Sequence, residues 1–311
     1  MAEINVEYLN EIAKTQPERL VVKSEDYYHK KIFDIVKTII DSGSIRVVLL
    51  AGPSGSGKTT TAKLLSDAIM SRGIESIVVS LDNFYKNPGD PTYPILENGD
   101  VDYESIDALH VEDIKKTLSD IAMGNAFSLP RYDFKVGART EVKKHKAMPS
   151  GVVIVEGLHA LNPRIFESLP KENMLRIFIS VSTNVNKDEK RILSGRKIRF
   201  IRRMVRDSIY RASDAERTLG MWENVLAGED KYLYPFRGNA DVSFDTFHNF
   251  ELGVMKPMVE KLISEELAEK NEYAKTVLCA VRSAEAIDES HVPENSLIRE
   301  FISGGKYEEF Y

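Results

Sequence analysis

A glycine-rich run that begins at residue 52 carries the clearest chemical signal in this sequence. It reads Gly-Pro-Ser-Gly-Ser-Gly-Lys-Thr and fits the pattern G-x-x-x-x-G-K-[S/T] at every fixed position. Such a loop surrounds phosphate oxygens with backbone N–H groups, while Lys58 bridges the outer phosphates and the Thr59 hydroxyl reaches a Mg²⁺ ion. The residues predicted to bind the nucleotide are Gly52, Ser54, Gly55, Ser56, Gly57, Lys58, Thr59 and Thr60.

The loop alone leaves the use of the nucleotide open, because kinases, ATP-driven motors and GTPase switches all contain it. The sequence has no Asn-Lys-x-Asp segment of the kind that reads guanine, which weakens the GTPase alternative. It also has no recognisable further domain for an ATPase to drive.

Two acidic residues lie at the ends of apolar runs that we predict to be buried strands. Asp82 follows the run SIVVSL, and Glu156 ends the run VVIVE. In parallel α/β sheets ligands bind beyond the carboxyl ends of the strands, so both carboxylates are expected near the phosphates. One of them could hold Mg²⁺ and the other could accept the proton of an attacking hydroxyl. The simpler alternative is that Asp82 caps a turn and that Glu156 is a solvated strand end.

The most basic stretch covers residues 196–211, with seven arginines and lysines in sixteen residues. Arg199, Arg203 and Arg206 share one face of the predicted helix, and a different face is apolar. We expect this helix to begin a lid over about residues 196–233, with guanidinium groups on the phosphates. The alternatives are a solvated face with local pairs such as Arg203–Asp207, and a patch that contacts RNA.

Two segments between the acidic residues are candidates for holding an acceptor molecule. They read GDVDYESIDALH (99–110) and LPRYDFKVGAR (129–139). Asp102 could accept hydrogen bonds from a sugar diol, and Tyr132 and Phe134 could border a flat base. Arg139, at the end of the second segment, is assigned to the same site. The alternative is that these aromatic residues belong to the core.

Apolar runs alternate with helical patterns, which predicts an α/β fold with a doubly wound parallel sheet. The expected strands are 45–51, 76–81, 152–156, 175–181 and 240–244, and the expected helices are 25–41, 59–72, 111–123, most of 196–233 and two within 250–287. We predict one phosphate-loop domain over residues 45–270. Residues 1–44 and 271–311 are then helical extensions, the second packed on that domain.

The composition of the chain limits its expected binding partners and its expected cellular compartment. The 311 residues include 42 Lys and Arg against 48 Asp and Glu, a net charge of −6, so general nucleic-acid binding is not expected. The single cysteine, Cys279, cannot form an internal disulfide. No apolar run approaches the ~18 residues of a membrane span, and the N-terminus lacks a signal-peptide profile. We expect a cytoplasmic protein with no membrane partner, and a homo-oligomer remains open.

The motifs occur in an order that resembles the uridine kinase and phosphoribulokinase family of P-loop kinases. The resemblance spans about residues 45–260 and rests on GPSGSGKTT, SLDNFYK, GDVDYESIDALH, LPRYDFKVGAR, VVIVEGLHALNP, RRMVRD and KYLYPFRGNADV. EGLHALNP, TLGMWENVLAGED and SLIREFISGGKYEEF are similar to a bacterial uridine-kinase-like subgroup. Some of its members carry an N-terminal region like that of threonyl-tRNA synthetases, for which we expect this chain to have no room.

The resemblance implies a five-stranded parallel sheet with a helical lid, and roles for single residues. These roles are a general base at Asp82, a ribose-hydroxyl ligand at Asp102, a Mg²⁺ site at Thr59 and Glu156, acceptor and phosphate contacts at Arg203, ATP-phosphate contacts at Arg206 and Arg211, and a base contact at Tyr132.

The sequence departs from the family in the pocket for the base. Uridine kinases carry a histidine five residues after the motif tyrosine, where this chain has Gly137. An arginine and a glutamine near the nucleoside appear here as Ser213 and Met221. Polar readout discriminates strongly between bases, so we expect altered specificity with intact phosphate chemistry. His159, in EGLHAL, is a candidate replacement donor.

The sequence therefore predicts an ATP- and Mg²⁺-dependent phosphotransferase that acts on the 5′-hydroxyl of a nucleoside such as uridine or cytidine. Its predicted catalytic residues are Lys58, Asp82, Arg203 and Arg206. Other acceptors that the altered pocket allows are a non-pyrimidine nucleoside, a sugar or a polyol. An alternative of another class is a nucleotide-dependent regulatory or RNA-binding protein.

Overall fold

The computed structural model describes residues 2–97, 99–133 and 136–310, so the interpretation of Phe134 lies outside the described residues. The strands are β1 (Glu3–Asn5), β2 (Val47–Ala51), β3 (Ser76–Ser80), β4 (Phe127–Asp133), β5 (Ala138–His145), β6 (Val152–Glu156), β7 (Met174–Ser180), β8 (Asn184–Lys187), β9 (Lys190–Leu193) and β10 (Val242–Asp245). The helices are α1 (Val6–Thr15), α2 (Pro17–Ser42), α3 (Lys58–Met70), α4 (Val111–Ala122), α5 (Pro163–Phe166), α6 (Gly195–Tyr210), α7 (Ala215–Tyr232), α8 (Glu251–Leu262), α9 (Glu265–Lys270), α10 (Glu272–Arg282) and α11 (Arg299–Ile302).

Five strands form one parallel sheet in the order β10-β7-β2-β6-β3. In this sheet Leu49 of β2 lies opposite Val155 of β6 and Arg176 of β7. Every residue of β2 and β6 is buried, which explains why these strands read as unbroken apolar runs rather than as alternating patterns. The predicted parallel sheet is confirmed, with five strands.

The two faces of the sheet bury separate hydrophobic clusters. Val48 and Leu50 of β2 belong to a cluster that includes residues of α2, α3, α6 and α8. Val47 and Leu49 point to the opposite face, where a second cluster includes residues of α4 and α5. This alternation follows from the two-residue period of a strand. Helices thus cover both faces, as a doubly wound fold requires.

The order of the strands places three chemically important segments side by side. The chain passes from the central strand β2 to the edge strand β3, returns to β6, and then crosses to β7 and β10 beyond β2. Such a reversal opens a crevice at the carboxyl ends of the strands. The phosphate loop follows β2, Asp82 follows β3, and Glu156 ends β6.

Several elements differ from the sequence predictions. Residues 250–287 form three helices rather than two, because Ile263 is extended and the side chains of Ser264 and Asn271 cap the two new starts. The hairpins β4–β5 and β8–β9, and the parallel pair β1–β8, were not expected. Strand β5 is largely exposed, so it lacks the alternating pattern that identifies a half-buried strand.

Both terminal segments share a core with the sheet. Tyr28 of α2 hydrogen-bonds through its hydroxyl to Thr61 Oγ1 of α3 at 2.8 Å. Near the other end, Leu297 and Phe301 are fully buried in the hydrophobic cluster that contains Val48 of β2. Both segments therefore pack against the phosphate-loop helix or the strand that precedes it, while the domain limits themselves stay a prediction. Within the described part of the chain, no helix is long and apolar enough to cross a membrane.

We expect Gly195→Ala to lower the free energy of unfolding by about 1–3 kcal/mol, because a Cβ at the start of α6 would lie 2.0 Å from the Val181 carbonyl oxygen. Gly220→Ala is the matched control: it lies inside α7 with open space around it, and should stabilise by up to about 1 kcal/mol. Urea unfolding measures both. Equal stability of Gly195→Ala and the wild type would contradict this close approach.

Candidate active site

The phosphate loop joins β2 to α3 at the carboxyl edge of the sheet. Gly55 (φ +73°) and Gly57 (φ +84°) adopt the left-handed conformation, which glycine accepts without strain. Gly57 is the N-cap of α3, so Lys58, Thr59 and Thr60 form its first turn. N–H groups in a first turn have no acceptor within the helix, and together with the helix dipole they favour an anion.

The other predicted loop residues lie in the same turn. A Cβ on Gly52 would lie 2.4 Å from the Ile179 carbonyl oxygen at the end of β7. Ser56 is fully buried, and its hydroxyl has no hydrogen-bond partner among the described residues. The Ser54 hydroxyl accepts a hydrogen bond from Arg203 Nη1 at 2.8 Å. Ser54 thereby joins the loop to α6.

Side chains from α6, α3 and the segment after β10 hold the carbonyl oxygens of the loop. In a planar trans peptide the C=O and N–H groups point in opposite directions. Fixing the carbonyl oxygens on the protein side therefore turns the N–H groups of the same peptides toward the inside of the loop, where phosphates would lie. One of them, the Ser56 N–H, donates to the Pro53 carbonyl oxygen of the loop at 3.2 Å. The four ties are Arg199 Nη1 to Ser54 O (2.8 Å), Arg202 Nη1 to Gly55 O (3.2 Å), Thr246 Oγ1 to Ser56 O (2.8 Å) and Thr61 Oγ1 to Gly57 O (2.6 Å).

Two buried ion pairs fix the arginines that make these ties. Arg199 donates two hydrogen bonds to the carboxylate of Glu229 in α7, at 2.7 and 2.8 Å, and both side chains are 1% exposed. Arg202 donates to Glu251 of α8 at 2.5 Å, and both side chains are fully buried. The expectation that Arg199 lies on the phosphate-facing side with Arg203 and Arg206 is wrong, because α7 covers it.

Three other arginines of this region surround one carboxylate, whereas Arg196 pairs with Asp230 of α7. Asp207 is within 3.3 Å of Arg203 Nε, 2.8 Å of Arg206 Nη2 and 3.6 Å of Arg211 Nη1. Three guanidinium groups against one buried carboxylate leave two positive charges in excess. The local pair Arg203–Asp207 that the sequence suggested is present, and it belongs to a cluster whose excess charge suits phosphate.

Asp82 and Glu156 lie close together near Lys58. Surrounding protein raises the pKa of Asp82 by displacing water from around it, although its surface stays open to solvent, and the cations of Lys58 and Arg211 oppose this shift. Burial raises the pKa of Glu156 to about 7, and the neighbouring carboxylate of Asp82 adds to the increase. Lys58 and a hydrogen bond from Ser80 act in the opposite direction. A divalent cation would relieve the repulsion between the two acids.

The donor set around Glu156 fits Mg²⁺. Among the described residues, no group of three or more His, Cys, Asp or Glu side chains is arranged to hold a metal by itself. Mg²⁺ usually takes one or two protein oxygens and completes its shell with water and substrate phosphates. The Thr59 hydroxyl and the Glu156 carboxylate, one from the first turn of α3 and one from the end of β6, are oxygen ligands of that kind.

On the acceptor side, Asp102 is nearly buried and already has protein partners. Its carboxylate accepts hydrogen bonds from the hydroxyl of Tyr232 and from Lys231 Nζ, the latter at 3.4 Å. Both partners come from the last turn of α7. A sugar diol at Asp102 would share or replace these contacts.

His159 lies beside Tyr232, the partner of Asp102, with ring centres 6.1 Å apart. Its Nε2 lies 3.0 Å from the carbonyl oxygen of Glu104, which can only accept, so Nε2 carries the proton. Burial lowers the pKa of His159 to about 4, so the ring is neutral near pH 7. Its buried Nδ1, without a hydrogen-bond partner among the described residues, is then an acceptor. This geometry does not favour the predicted role of His159 as a donor to a base.

Tyr132 stands beside a second aromatic side chain that the sequence analysis did not assign. The rings of Tyr132 and Tyr85 are 5.8 Å apart and tilted, and the surrounding protein and the carboxylates of Asp82 and Glu104 raise the pKa of Tyr85. The Tyr132 hydroxyl donates to the carbonyl oxygen of Gly137 at 2.8 Å. The Gly137 carbonyl oxygen thus accepts a hydrogen bond within the β4–β5 hairpin.

Arg139 ties structural elements together. Its Nη1 pairs with Asp113 of α4 at 3.1 Å, and its Nη2 donates to the Phe84 carbonyl oxygen at 3.4 Å. The assignment of Arg139 to substrate stays a prediction. Of the other two departures from the family, Met221 is exposed on α7, and the backbone of Ser213 donates to the Asp207 carbonyl oxygen at 3.1 Å.

The sequence analysis did not identify several residues that shape this site. Glu229 and Glu251 complete the buried ion pairs. Glu104 is exposed at the surface, yet the surrounding protein, by displacing water, and the nearby carboxylate of Asp82 raise its pKa. Glu300, from the far end of the chain, accepts hydrogen bonds from Thr60. No local pattern marks these acids, because each partner lies far away in sequence. The clearest available signal was the excess of arginines in a net acidic chain.

Known proteins similar to this chain include kinases with a phosphate loop. Residues 47–252 match the model of the Phosphoribulokinase / Uridine kinase family. The uridine kinase of Borrelia hermsii is 30% identical over 199 residues, which cover 64% of this chain and 85% of that protein. Uridine-cytidine kinase C of Dictyostelium discoideum is 34% identical over 146 residues, which cover 47% of this chain and 29% of that longer protein.

A solved structure shares the fold. The crystal structure of a candidate fructose transport system kinase from Silicibacter sp. superposes with a TM-score of 0.50 at 16% identity, covering 68% of this chain and 98% of that chain. With the family match, this likeness confirms the α/β fold of a P-loop NTPase.

Substitutions of Arg202 should show that its effect on the stability of the fold is distinct from its effect on nucleotide binding by the loop. We expect Arg202→Met to lower the free energy of unfolding by about 3–5 kcal/mol, because it leaves the buried Glu251 carboxylate without its cationic partner, although the His248 N–H still donates to it. The double variant Arg202→Met, Glu251→Met should recover most of that stability, since an apolar pair can replace a buried ion pair. Nucleotide binding should remain weak in both variants, because the Gly55 carbonyl oxygen has lost its donor. Urea unfolding and calorimetric titration with ATP measure the two effects; full recovery of binding in the double variant would contradict the role of Arg202.

Glu156→Gln should raise the stability of the unliganded protein at alkaline pH. A carboxylate with a pKa of about 7 binds more protons when folded than when unfolded between about pH 4.5 and 7, so folding stability falls as pH rises through this range. The penalty is fully present above pH 7 and absent below about pH 4.5. We expect the Tm of Glu156→Gln to exceed that of the wild type at pH 8 by a few degrees and to match it near pH 4.5. An equal difference at both pH values would contradict the pKa assignment.

Proposed function

This chain belongs to the phosphoribulokinase/uridine kinase family, and we propose that it transfers the terminal phosphate of ATP to the 5′-hydroxyl of a nucleoside. The observation that carries the proposal is the complete phosphate loop with Asp82 and Lys58 together at the carboxyl edge of the sheet. On the same side, α6 contributes arginines with excess positive charge. The uridine kinases among its relatives support a nucleoside as the acceptor.

In the proposed reaction the protein binds, orients and takes up one proton. The N–H groups of the loop and the Lys58 ammonium hold the phosphates, and Arg203 and Arg206 bind the oxygens of the transferred group. Thr59 and Glu156 would hold Mg²⁺, which would neutralise phosphate charge. The acceptor oxygen forms a bond to the γ-phosphorus, the bond to the ADP oxygen breaks, and the hydroxyl proton passes to Asp82. The raised pKa of Asp82 strengthens it as a base.

We propose that Asp102 and the Tyr85–Tyr132 pair receive the acceptor. A carboxylate accepts hydrogen bonds from two neighbouring hydroxyls, as in a ribose, and paired aromatic rings suit the face of a base. An alternative acceptor, a non-pyrimidine nucleoside, sugar or polyol, is favoured by Gly137. It takes the sequence position of the histidine in the uridine kinases that this chain resembles, and it offers a backbone carbonyl oxygen that is already bound by the Tyr132 hydroxyl.

An RNA-binding role finds less support in the contacts of α6. Arg199 and Arg202 are buried in ion pairs, and Arg203 and Arg206 are only 13% and 11% exposed, each engaged with Asp207. The exposed arginines, Arg196 and Arg211, have side chains that are 44% and 54% exposed, and each pairs with a carboxylate. They lie at opposite ends of α6, so the most accessible cations do not form one continuous basic face for a polyanion as large as RNA. The cytoplasm remains the proposed compartment, since the one cysteine, Cys279, is free and exposed.

Asp82→Asn should lower kcat by about 10²–10⁴-fold, because it removes the proton acceptor, while ATP affinity changes little. Asp102→Asn is the matched control: the same loss of charge should mainly raise KM for an acceptor with a ribose diol. Steady-state kinetics with coupled ADP detection separate the two effects. Unchanged turnover in Asp82→Asn would remove Asp82 as the base.

A panel of nucleosides, sugars and polyols, with Lys58→Ala as the blank, tests the proposal as a whole. ADP release that depends on uridine or cytidine would establish a pyrimidine nucleoside as the acceptor. Turnover with another acceptor alone would keep the phosphotransfer and change the substrate. The absence of stimulation by every acceptor would contradict a kinase function.

A further inference from the structure

The C-terminal segment, residues 292–310, lies against the phosphate loop. Its helix α11 contacts α6, and Phe301 lies under the Arg202 guanidinium, 5.1 Å from the ring centre. Leu297 fills the space beside Gly57, where a Cβ would lie 2.4 Å from Leu297 Cδ1. The segment is thus in direct contact with the glycine that caps α3.

Glu300 of this segment occupies donors that belong to the phosphate site. Its carboxylate accepts hydrogen bonds from Thr60 Oγ1 at 2.7 Å and from the Thr60 N–H at 3.4 Å, and the side chain is 5% exposed. Thr60 is the third residue of α3, in the turn whose N–H groups cradle phosphate oxygens in a loop of this type. The Glu300 carboxylate thus accepts hydrogen bonds from donors that a phosphate oxygen would otherwise use.

We propose that Glu300 restrains nucleotide binding at the phosphate loop: its carboxylate competes with a phosphate group of the nucleotide for Thr60, and must move away when ATP binds. The inference rests on the proposed nucleotide-binding function of the same loop. Competition follows from charge as well as from space, since two anions cannot share these donors without strong repulsion. The Glu300 carboxylate also lies close enough to Glu156 to raise its pKa.

The rest of the segment is anchored, so the side chain of Glu300 moves while the backbone stays in place. Lys306 Nζ and the Tyr307 hydroxyl both donate to Asp67 of α3. At the start of the segment, the hydroxyl of Ser296 donates to the Glu25 carboxylate in α2. Leu297 and Phe301 remain in the hydrophobic core. A rotation of Glu300 exposes Thr60 without unfolding these contacts.

The test measures ATP binding and stability in Glu300→Gln, which keeps an oxygen acceptor for Thr60 and removes the charge. Calorimetric titration with ATP and Mg²⁺, without any acceptor, should show affinity about tenfold tighter than in the wild type. The unliganded variant should have a lower Tm, because a neutral hydrogen bond replaces a charged one, and ATP should raise its Tm by more than it raises that of the wild type. Glu294→Gln, an equal charge change at an exposed position of the same segment, should leave ATP affinity unchanged.

The outcomes separate this inference from the proposed function. A lower Tm with unchanged or weaker ATP affinity in Glu300→Gln would show that Glu300 is structural or assists the nucleotide, and would overturn the inference alone. An equal gain in Glu294→Gln would assign the effect to net charge and overturn it as well. No ATP binding by the wild type or Glu300→Gln would overturn the proposed function together with this inference.

Discussion

The geometry of the site depends on the two buried arginines of α6, which hold the outer side of the phosphate loop. Arg199 and Arg202 bind the carbonyl oxygens of Ser54 and Gly55, and each is neutralised by a glutamate from another helix. Because a peptide unit is rigid, fixing its carbonyl oxygen also fixes the direction of its N–H group. The hydrogen bonds to the carbonyl oxygens on the outside of the loop therefore determine the direction of the N–H groups on its inside. Breaking one pair would leave an uncompensated charge in the core, so the arrangement holds as a unit.

The arginines of α6 and the residue after it form two groups with different roles. The two buried arginines are paired with Glu229 and Glu251, whereas Arg203, Arg206 and Arg211 converge on the single carboxylate of Asp207. The first group gives the loop its shape, and the second leaves positive charge in excess beside it. Opposite them, Asp82 and Glu156 gather negative charge near Lys58, with raised pKa values. Without ligands this separation of charge costs stability, which is a common property of sites that bind charged substrates.

Both terminal segments make hydrogen bonds with residues of the first turn of α3. Tyr28 of α2 contacts Thr61, which in turn holds the carbonyl oxygen of Gly57. Ser296 and Glu25 connect the two extensions to each other, and Glu300 reaches Thr60. The first turn of α3 is thus contacted from both ends of the chain. A change in either extension has a direct physical route to the phosphate site.

The sequence by itself determined the chemistry of the phosphate loop, the parallel sheet and the position of Asp82 and Glu156 at its carboxyl edge. These features are encoded in short contiguous stretches: a fixed motif, apolar runs long enough for buried strands, and acids that follow them directly. The exposed strand β5 has no such pattern, which is why the hairpin it forms was not predicted. Only the tertiary structure decided which face of α6 is covered, because helical periodicity groups Arg199 with Arg203 but does not say that α7 packs over one of them. It also decided the partners of the loop, since Thr60 and Glu300 are 240 positions apart, and a contact between such distant residues arises from packing rather than from any local pattern.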